Sequence, residues 1–296
     1  MTPGRPIIFG EVLFDCFPDG TEVLGGAPFN VAWHLQAFGL SPVLISRIGD
    51  DKRGIDILRA MGDWQMDTQC IQIDLQRPTG TVKIDLDHGE PTFTISPEDA
   101  YGYIQNDITE PLFNASPLLY HGSLALWNQQ SRKILNKMKE RESPEIFIDV
   151  NLRSPWWERD TVLSLLENAS WVKLNEEELQ LLIPQSDNTG ERARILLDSF
   201  QIQVLILTRG SRGATVYLHN GQRLHITPGT QTKVVDTVGA GDAFSAVFIL
   251  GLLKEWPLEK VIHYAQEFAS IIVGQRGATI ADRQLYYELL TKWKAV

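Results

Sequence analysis

Short apolar runs separated by helix-sized stretches constrain this 296-residue chain more than any other feature. Six runs read as buried strands: Ile7–Phe9, Val43–Ser46, Leu118–His121, Ile146–Val150, Trp171–Leu174 and Val204–Thr208. Helical stretches lie between and after them, over Val31–Phe38, Ile55–Met61, Ser131–Arg141, Thr161–Glu167, Glu176–Leu182 and Glu191–Phe200. Strands alternating with helices predict βαβ units and an α/β fold with a mainly parallel sheet. Sheets of that kind bind ligands at the carboxyl ends of their strands.

One region departs from this rhythm. Thr79–Asp87 alternates apolar and polar residues, His88-Gly89-Glu90 signals a turn, and Pro91–Ile95 alternates again. The pattern predicts a hairpin with one wet face. A second alternating piece, Glu11–Phe17, is expected to join it in a small β-sheet lid. The plainer reading is an antiparallel edge of the main sheet.

Composition narrows the function. Lys and Arg total 27 against 37 Asp and Glu, a net charge of −10. That balance argues against a nucleic-acid partner, which needs clustered positive charge. It leaves room for a small anion held by backbone amides. Two cysteines, Cys16 and Cys70, cannot build a disulfide framework or a four-thiolate zinc site. Ile7–Phe9 is too short for a signal-peptide core. The longest mostly apolar run, Ala243–Leu253, falls well short of the roughly 20 residues of a spanning helix. A cytoplasmic protein without membrane contact is the expectation.

The strongest local signal is Asp236-Thr237-Val238-Gly239-Ala240-Gly241-Asp242-Ala243-Phe244. Its glycines permit a tight turn into an apolar helix, whose first amides form an anion site. Asp242 there is either a helix cap or a general base beside a bound phosphate. Gly25-Gly26-Ala27-Pro28-Phe29-Asn30 allows a ligand to approach the backbone closely, and the Asn30 amide suits a sugar hydroxyl; the alternative is a plain turn with an Asn cap. Asp149-Val150-Asn151-Leu152-Arg153 ends an apolar run and reads as a strand-end site or a solvated loop. Asn175 and Glu178 share a helix face and could hold a hydrated Mg²⁺, although acidic first turns are common without one. Thr208-Arg209-Gly210-Ser211-Arg212-Gly213 reads as a phosphate-contacting turn or the start of a hairpin. No Walker A loop, dinucleotide fingerprint, Gly-x-Ser-x-Gly or His-Glu-x-x-His occurs, and six scattered histidines suggest no metal centre.

Taken together and in this order, these segments resemble the ribokinase-like (PfkB) carbohydrate kinases over essentially the whole chain. Asp236–Phe244 resembles the family's C-terminal signature, and Gly25–Ala32 within Leu24–Gly39 its N-terminal one. Arg47-Ile48-Gly49-Asp50-Asp51-x-x-Gly54 is similar to a further family stretch. The resemblance implies a single Rossmann-like domain over 1–296, with a lid from about 11–24 and 76–97 inserted in it. It implies transfer of the ATP γ-phosphate to a sugar hydroxyl, with Mg²⁺ and optionally a monovalent cation such as K⁺. By the same resemblance Asp242 is the catalytic base, and Gly239, Ala240 and Gly241 supply the anion hole. Asn175, Thr208, Gly210, Gly213, Thr237 and Gly277 contact the nucleotide, and Glu178 holds Mg²⁺ through water. Asp15, Gly25, Gly26, Asn30, Asn151 and Arg153 bind the sugar. Gly-Gly-Ala-Pro-x-Asn and Asp149-x-Asn151-x-Arg153 resemble fructokinases, which favours D-fructose and fructose 6-phosphate. Ribokinases more often carry Lys where Ala27 stands, whereas the second motif is shared with 2-keto-3-deoxygluconate kinases. Phe29 occupies a position that is usually small in fructokinases. The wet face of the lid suggests a homodimer, and a catalytically inactive sugar-binding regulator is the alternative from another class.

Overall fold

The structure, a computed structural model, describes residues 4–87, 90–105, 116–142, 144–229 and 234–294. The chain starts with β1 (Ile7–Phe9), β2 (Leu13–Cys16), β3 (Glu22–Gly25) and α1 (Ala27–Ala37). It continues through β4 (Val43–Gly49), α2 (Lys52–Asp63), β5 (Ile71–Asp74), β6 (Gly80–Asp87) and β7 (Glu90–Ile95). Then follow β8 (Leu118–His121), α3 (Gln129–Glu142), β9 (Glu145–Asp149), α4 (Arg159–Leu165), β10 (Trp171–Asn175), α5 (Glu176–Leu182) and α6 (Thr189–Phe200). The last part holds β11 (Val204–Thr208), β12 (Ala214–Leu218), β13 (Arg223–Ile226), α7 (Ala240–Leu253), α8 (Leu258–Val273) and α9 (Arg283–Lys294).

Nine strands form one sheet in the order β13-β12-β11-β10-β9-β8-β1-β4-β5. From β11 to β5 all pairs are parallel; β12 and β13 extend the edge antiparallel. All six predicted runs are strands of this sheet, with boundaries shifted by a few residues at most. Strand order reverses at β1, which lies between β4 and β8, so the crevice beyond its carboxyl end is the favoured ligand position.

Side chains alternate between the two faces of the main sheet. Ile8, Phe147 and Ile206 pack with α1, α7 and α8 on one face. Ile148, Val172, Leu174, Leu205 and Leu207 pack with α4, α5 and α6 on the other. Helix α7 is buried from Ala243 to Gly251 and has no solvent stripe, which explains its unbroken apolar sequence. At Gly251 a Cβ would stand 2.5 Å from Val261 Cγ2, so the glycine sets the close approach of α8.

A separate four-stranded sheet has the order β3-β2-β6-β7. Strand β2 pairs parallel with β6 and antiparallel with β3, and β6 pairs antiparallel with β7. The alternating segments therefore build their own sheet and do not extend the edge of the main one. The expected turn residues His88 and Gly89 lie outside the described residues. Helix α1 begins at Ala27, before the expected Val31, because Pro28 is tolerated in the first turn. Cys16 and Cys70 are both free thiols. Among the described residues no helix is long and apolar enough to cross a membrane.

Candidate active site

The first turn of α7 carries the most distinctive geometry. Gly239 is its N-cap at φ 78, and no side chain caps the helix. A Cβ on Gly239 would overlap Ala278, so both conformation and space require glycine. The first regular helical bond runs from the Ala243 amide to the Gly239 carbonyl at 2.9 Å. Amides of a first turn have no acceptor within their own helix, and together with the helix dipole they attract an anion. The approach to this turn is fixed by Asp236. Its Oδ1 accepts from the Val238 amide at 3.0 Å, and its Oδ2 from the Gly277 amide at 3.1 Å. Thr237 lies inside that clasp, and its carbonyl accepts from the Ala240 amide at 3.4 Å.

Asp242 is the third residue of α7 and does not cap it. Its Oδ2 accepts a 2.8 Å bond from Asn30 Nδ2 on α1. Desolvation pushes the Asp242 carboxyl up to about 6; the Asn30 bond opposes this, the charge of Asp149 adds to it, and Lys173 and Arg153 oppose it. Asn30 is therefore an interior helix residue and not a cap, and its Oδ1 is buried without a partner. Phe29 turns into the core, 5.8 Å from the Trp33 ring, so its size is absorbed there.

Gly25 and Gly26 bring the start of α1 against the segment that links β1 to β2. A Cβ on Gly26 would stand 2.8 Å from the Glu11 carbonyl, and one on Gly25 would touch Asp15 Oδ2 at 3.4 Å. Asp15, on β2 of the small sheet, is pushed up to about 6 by desolvation, against the charge of Arg153 and with that of Asp236. Arg153 is exposed beyond β9, and its charge acts on three carboxyls, Asp15, Glu11 and Asp242, favouring their ionised form. Asn151 bends the same loop at φ 42.

Asn175 and Glu178 form a capping box. Asn175 Oδ1 accepts from the Glu178 amide at 2.9 Å, and Glu178 Oε2 accepts from the Asn175 amide at 2.8 Å. Glu178 Oε1 accepts from the Leu152 amide at 2.8 Å, which ties α5 to the loop after β9. Desolvation raises the Glu178 carboxyl, and both backbone bonds oppose the rise. Thr208 sits directly beside Asn175 in the parallel sheet. Gly210 at φ 56 and Gly213 at φ 81 shape the turn into β12, so Thr208–Gly213 opens a hairpin. Arg209 and Arg212 both pair with Glu176.

The structure thus gathers Asp242, Asn30, Asp15, Arg153 and the Gly25-Gly26 turn around the end of β1, and seats Asn175 and Thr208 side by side farther along the sheet. Glu11 and Lys173, given no role from sequence, join them, as does Asp149, read there only as part of a strand-end motif. Glu11, only 2% exposed just past β1, is pushed by desolvation up to about 7; its own amide and the charge of Arg153 oppose that shift, and Asp242 adds to it. Asp149 and Lys173 form a buried ion pair between β9 and β10. Their signals were legible: Glu11 follows the central strand, and Lys173 interrupts an apolar run.

A mainly parallel α/β sheet that brings an uncapped helix start and a desolvated carboxyl to its switch point suits phosphoryl transfer to a small molecule. Residues 17–284 match the pfkB family carbohydrate kinases, and the chain belongs to that family; it is a sugar kinase. It is 34% identical over 262 residues to a fructokinase from Klebsiella pneumoniae, covering 84% of each chain. A fructokinase double mutant from Vibrio cholerae, in a form with fructose, ADP and potassium ion bound, superposes with TM-score 0.83 at 29% identity, covering 98% of this chain and 99% of that one. An uncharacterized sugar kinase from Pyrococcus horikoshii superposes with TM-score 0.84 at 27% identity, covering 97% of both.

Proposed function

We propose that this kinase transfers the γ-phosphoryl group of ATP to the 6-hydroxyl of D-fructose. The observation that carries the reading is a desolvated Asp242 carboxyl, oriented by Asn30, in the uncapped first turn of α7. At pH 7 a carboxyl near 6 is mostly ionised yet a better proton acceptor than an ordinary aspartate, which suits a general base. Asp242 takes the proton of the sugar hydroxyl as it attacks. The Gly239-Ala240-Gly241 turn holds the moving phosphoryl charge with amides, and such preorganised donors contribute much of phosphoryl-transfer catalysis. Asp15, Gly25, Gly26, Asn30, Asn151 and Arg153 surround the sugar, while Asn175, Thr208, Gly210, Gly213, Thr237 and Gly277 contact the nucleotide. The small sheet acts as a lid that excludes water.

Magnesium fits on one condition. Both oxygens of Glu178 already accept a backbone bond, and each retains one lone pair for a metal-bound water. Among the described residues no three ligating side chains converge, so the ion would rest chiefly on phosphate oxygens and water. Bound Mg²⁺ neutralises phosphate charge. A monovalent cation such as K⁺ is an optional second cofactor, in line with the potassium in the Vibrio cholerae fructokinase. The protein works in the cytoplasm, where ATP is available, as a homodimer through the lid.

Fructose is favoured over 2-keto-3-deoxygluconate because the charge of Arg153 already acts on three carboxyls, which repel an acid substrate. A panel of fructose, ribose, 2-keto-3-deoxygluconate and a nucleoside, with ATP and magnesium chloride, tests the reading. Fructose is expected to give the highest kcat/KM, with the 6-phosphate identified by NMR. Another acceptor exceeding it by about tenfold overturns the substrate, and no turnover with any acceptor supports the regulator. Sedimentation at micromolar concentration is expected to show a dimer.

A further inference from the structure

Lys173 stands out against its strand. On β10, Val172 and Leu174 turn into the core under α5 and α6, while Trp171 and Lys173 face the α7 side. An ammonium there is 5% exposed and lies opposite Asp149 on the neighbouring parallel strand. Asp149 Oδ2 accepts from Lys173 Nζ, from Ser245 Oγ of α7 at 3.0 Å and from Tyr120 Oη at 3.3 Å. Ser245 is one helical turn from Asp242 on the same face of α7. A Cβ on Gly241 would stand 3.3 Å from Lys173 Nζ, so the ammonium lies directly under the first turn. Burying an ion pair is costly, and its presence in a core is weak support for a purely stabilising role.

We propose that Lys173 is a positioning residue of the phosphoryl-transfer step, fixed by Asp149 beneath the first turn of α7 to add positive charge to its anion site. The inference rests on the kinase reading above. Lys173 acts on the reacting groups through space and through α7. The groups around it are Asp149, Glu178 and Asp242; those around Asp242 are Asp149, Lys173, Arg153, Glu11 and the Tyr120 hydroxyl. Its loss weakens the hold on the γ-phosphoryl group and makes Asp242 easier to protonate.

The test compares wild type with Lys173→Met, Lys173→Arg and the double variant Lys173→Met/Asp149→Asn, which removes both charges and restores burial without an unpaired ion. Lys173→Met is expected to lower kcat by roughly 10²-fold with fructose KM nearly unchanged, and to move the acid limb of kcat to higher pH. Lys173→Arg should recover about tenfold of that loss. If Lys173→Met does not fold, the double variant carries the test: its thermal stability should return towards wild type while kcat stays low. A double variant with wild-type kcat overturns the proposal and leaves Lys173 a structural pair. Calorimetry with AMP-PNP and with ADP, in magnesium chloride and without any acceptor, separates this from the choice of sugar. The preference of wild type for AMP-PNP over ADP should shrink in the double variant. An unchanged preference overturns the proposal even if fructose is the substrate, and a reduced one supports it even if fructose is not.

Discussion

Two helices start close to the carboxyl edge of the main sheet, and their first turns end differently. Helix α5 is closed on itself: Asn175 and Glu178 satisfy each other's amides, and Glu178 takes a third from Leu152. Helix α7 starts at a glycine with no side-chain cap. Both stretches contain a small polar or glycine start followed by acid, and both resemble ligand motifs. By general principle, the amides of a helix N-terminus are free for an anion only where no side chain of the protein satisfies them. At α5 the Asn175 and Glu178 side chains occupy the first-turn amides, whereas at α7 no side chain takes them.

The largest expected effect falls on the open end. Asp242→Asn should reduce kcat by about 10²–10⁴-fold while ATP binding persists; turnover near wild type would remove Asp242 as base. In wild type the same group sets the pH dependence. With its carboxyl at about 6, kcat should fall as pH drops below that value, and a flat profile down to pH 5 would show another base. Next comes Gly239→Ala, which forces a side chain onto a positive φ against Ala278. It should cost about 1–3 kcal/mol in chemical denaturation and roughly 10²-fold in kcat. At the closed end the balance reverses. Asn175→Ala should lose about 1 kcal/mol of stability through the cap, with kcat changed only a few fold. A collapse of kcat there, with stability intact, would make α5 the more reactive end.

The smallest effect concerns Glu11. Its folded carboxyl lies near 7, above the ordinary 4.5. A raised acid is most compatible with folding while protonated, so its contribution is complete below about 4.5 and is lost as pH rises through 7. Glu11→Gln should therefore raise the melting temperature relative to wild type more at pH 8 than at pH 5. An equal difference at both values would show that Glu11 does not titrate in this window.

Much of the scaffold was legible because strand burial imposes a local pattern. Runs such as Leu118–His121 and Val204–Thr208 are continuous apolar segments, and the structure reproduces both spans. The small sheet announced itself through alternation. By contrast β13 was not expected: in a half-exposed antiparallel strand such as Arg223–Ile226 polar and apolar residues alternate too weakly to stand out. The short β5 is obscured by its exposed Ile73. In the site, the glycines of α7 were readable because a turn tolerates few residue types. The capping box of Asn175 and Glu178 was present in the sequence with correct spacing, but its use as a cap depends on how α5 meets β10.

Sequence alone determined the alternation that makes a parallel sheet, the glycine turn into α7 and the acid that follows it, since each is a property of neighbours along the chain. Only the tertiary structure decided that Asn30 would bond Asp242 across 212 residues, that the charge of Arg153 would act on three carboxyls, and that Lys173 and Asp149 would meet beneath Gly241. The reason is physical. Backbone preference acts over a few residues, whereas the charge and desolvation that tune a site come from whatever strands and helices the packed core brings beside it.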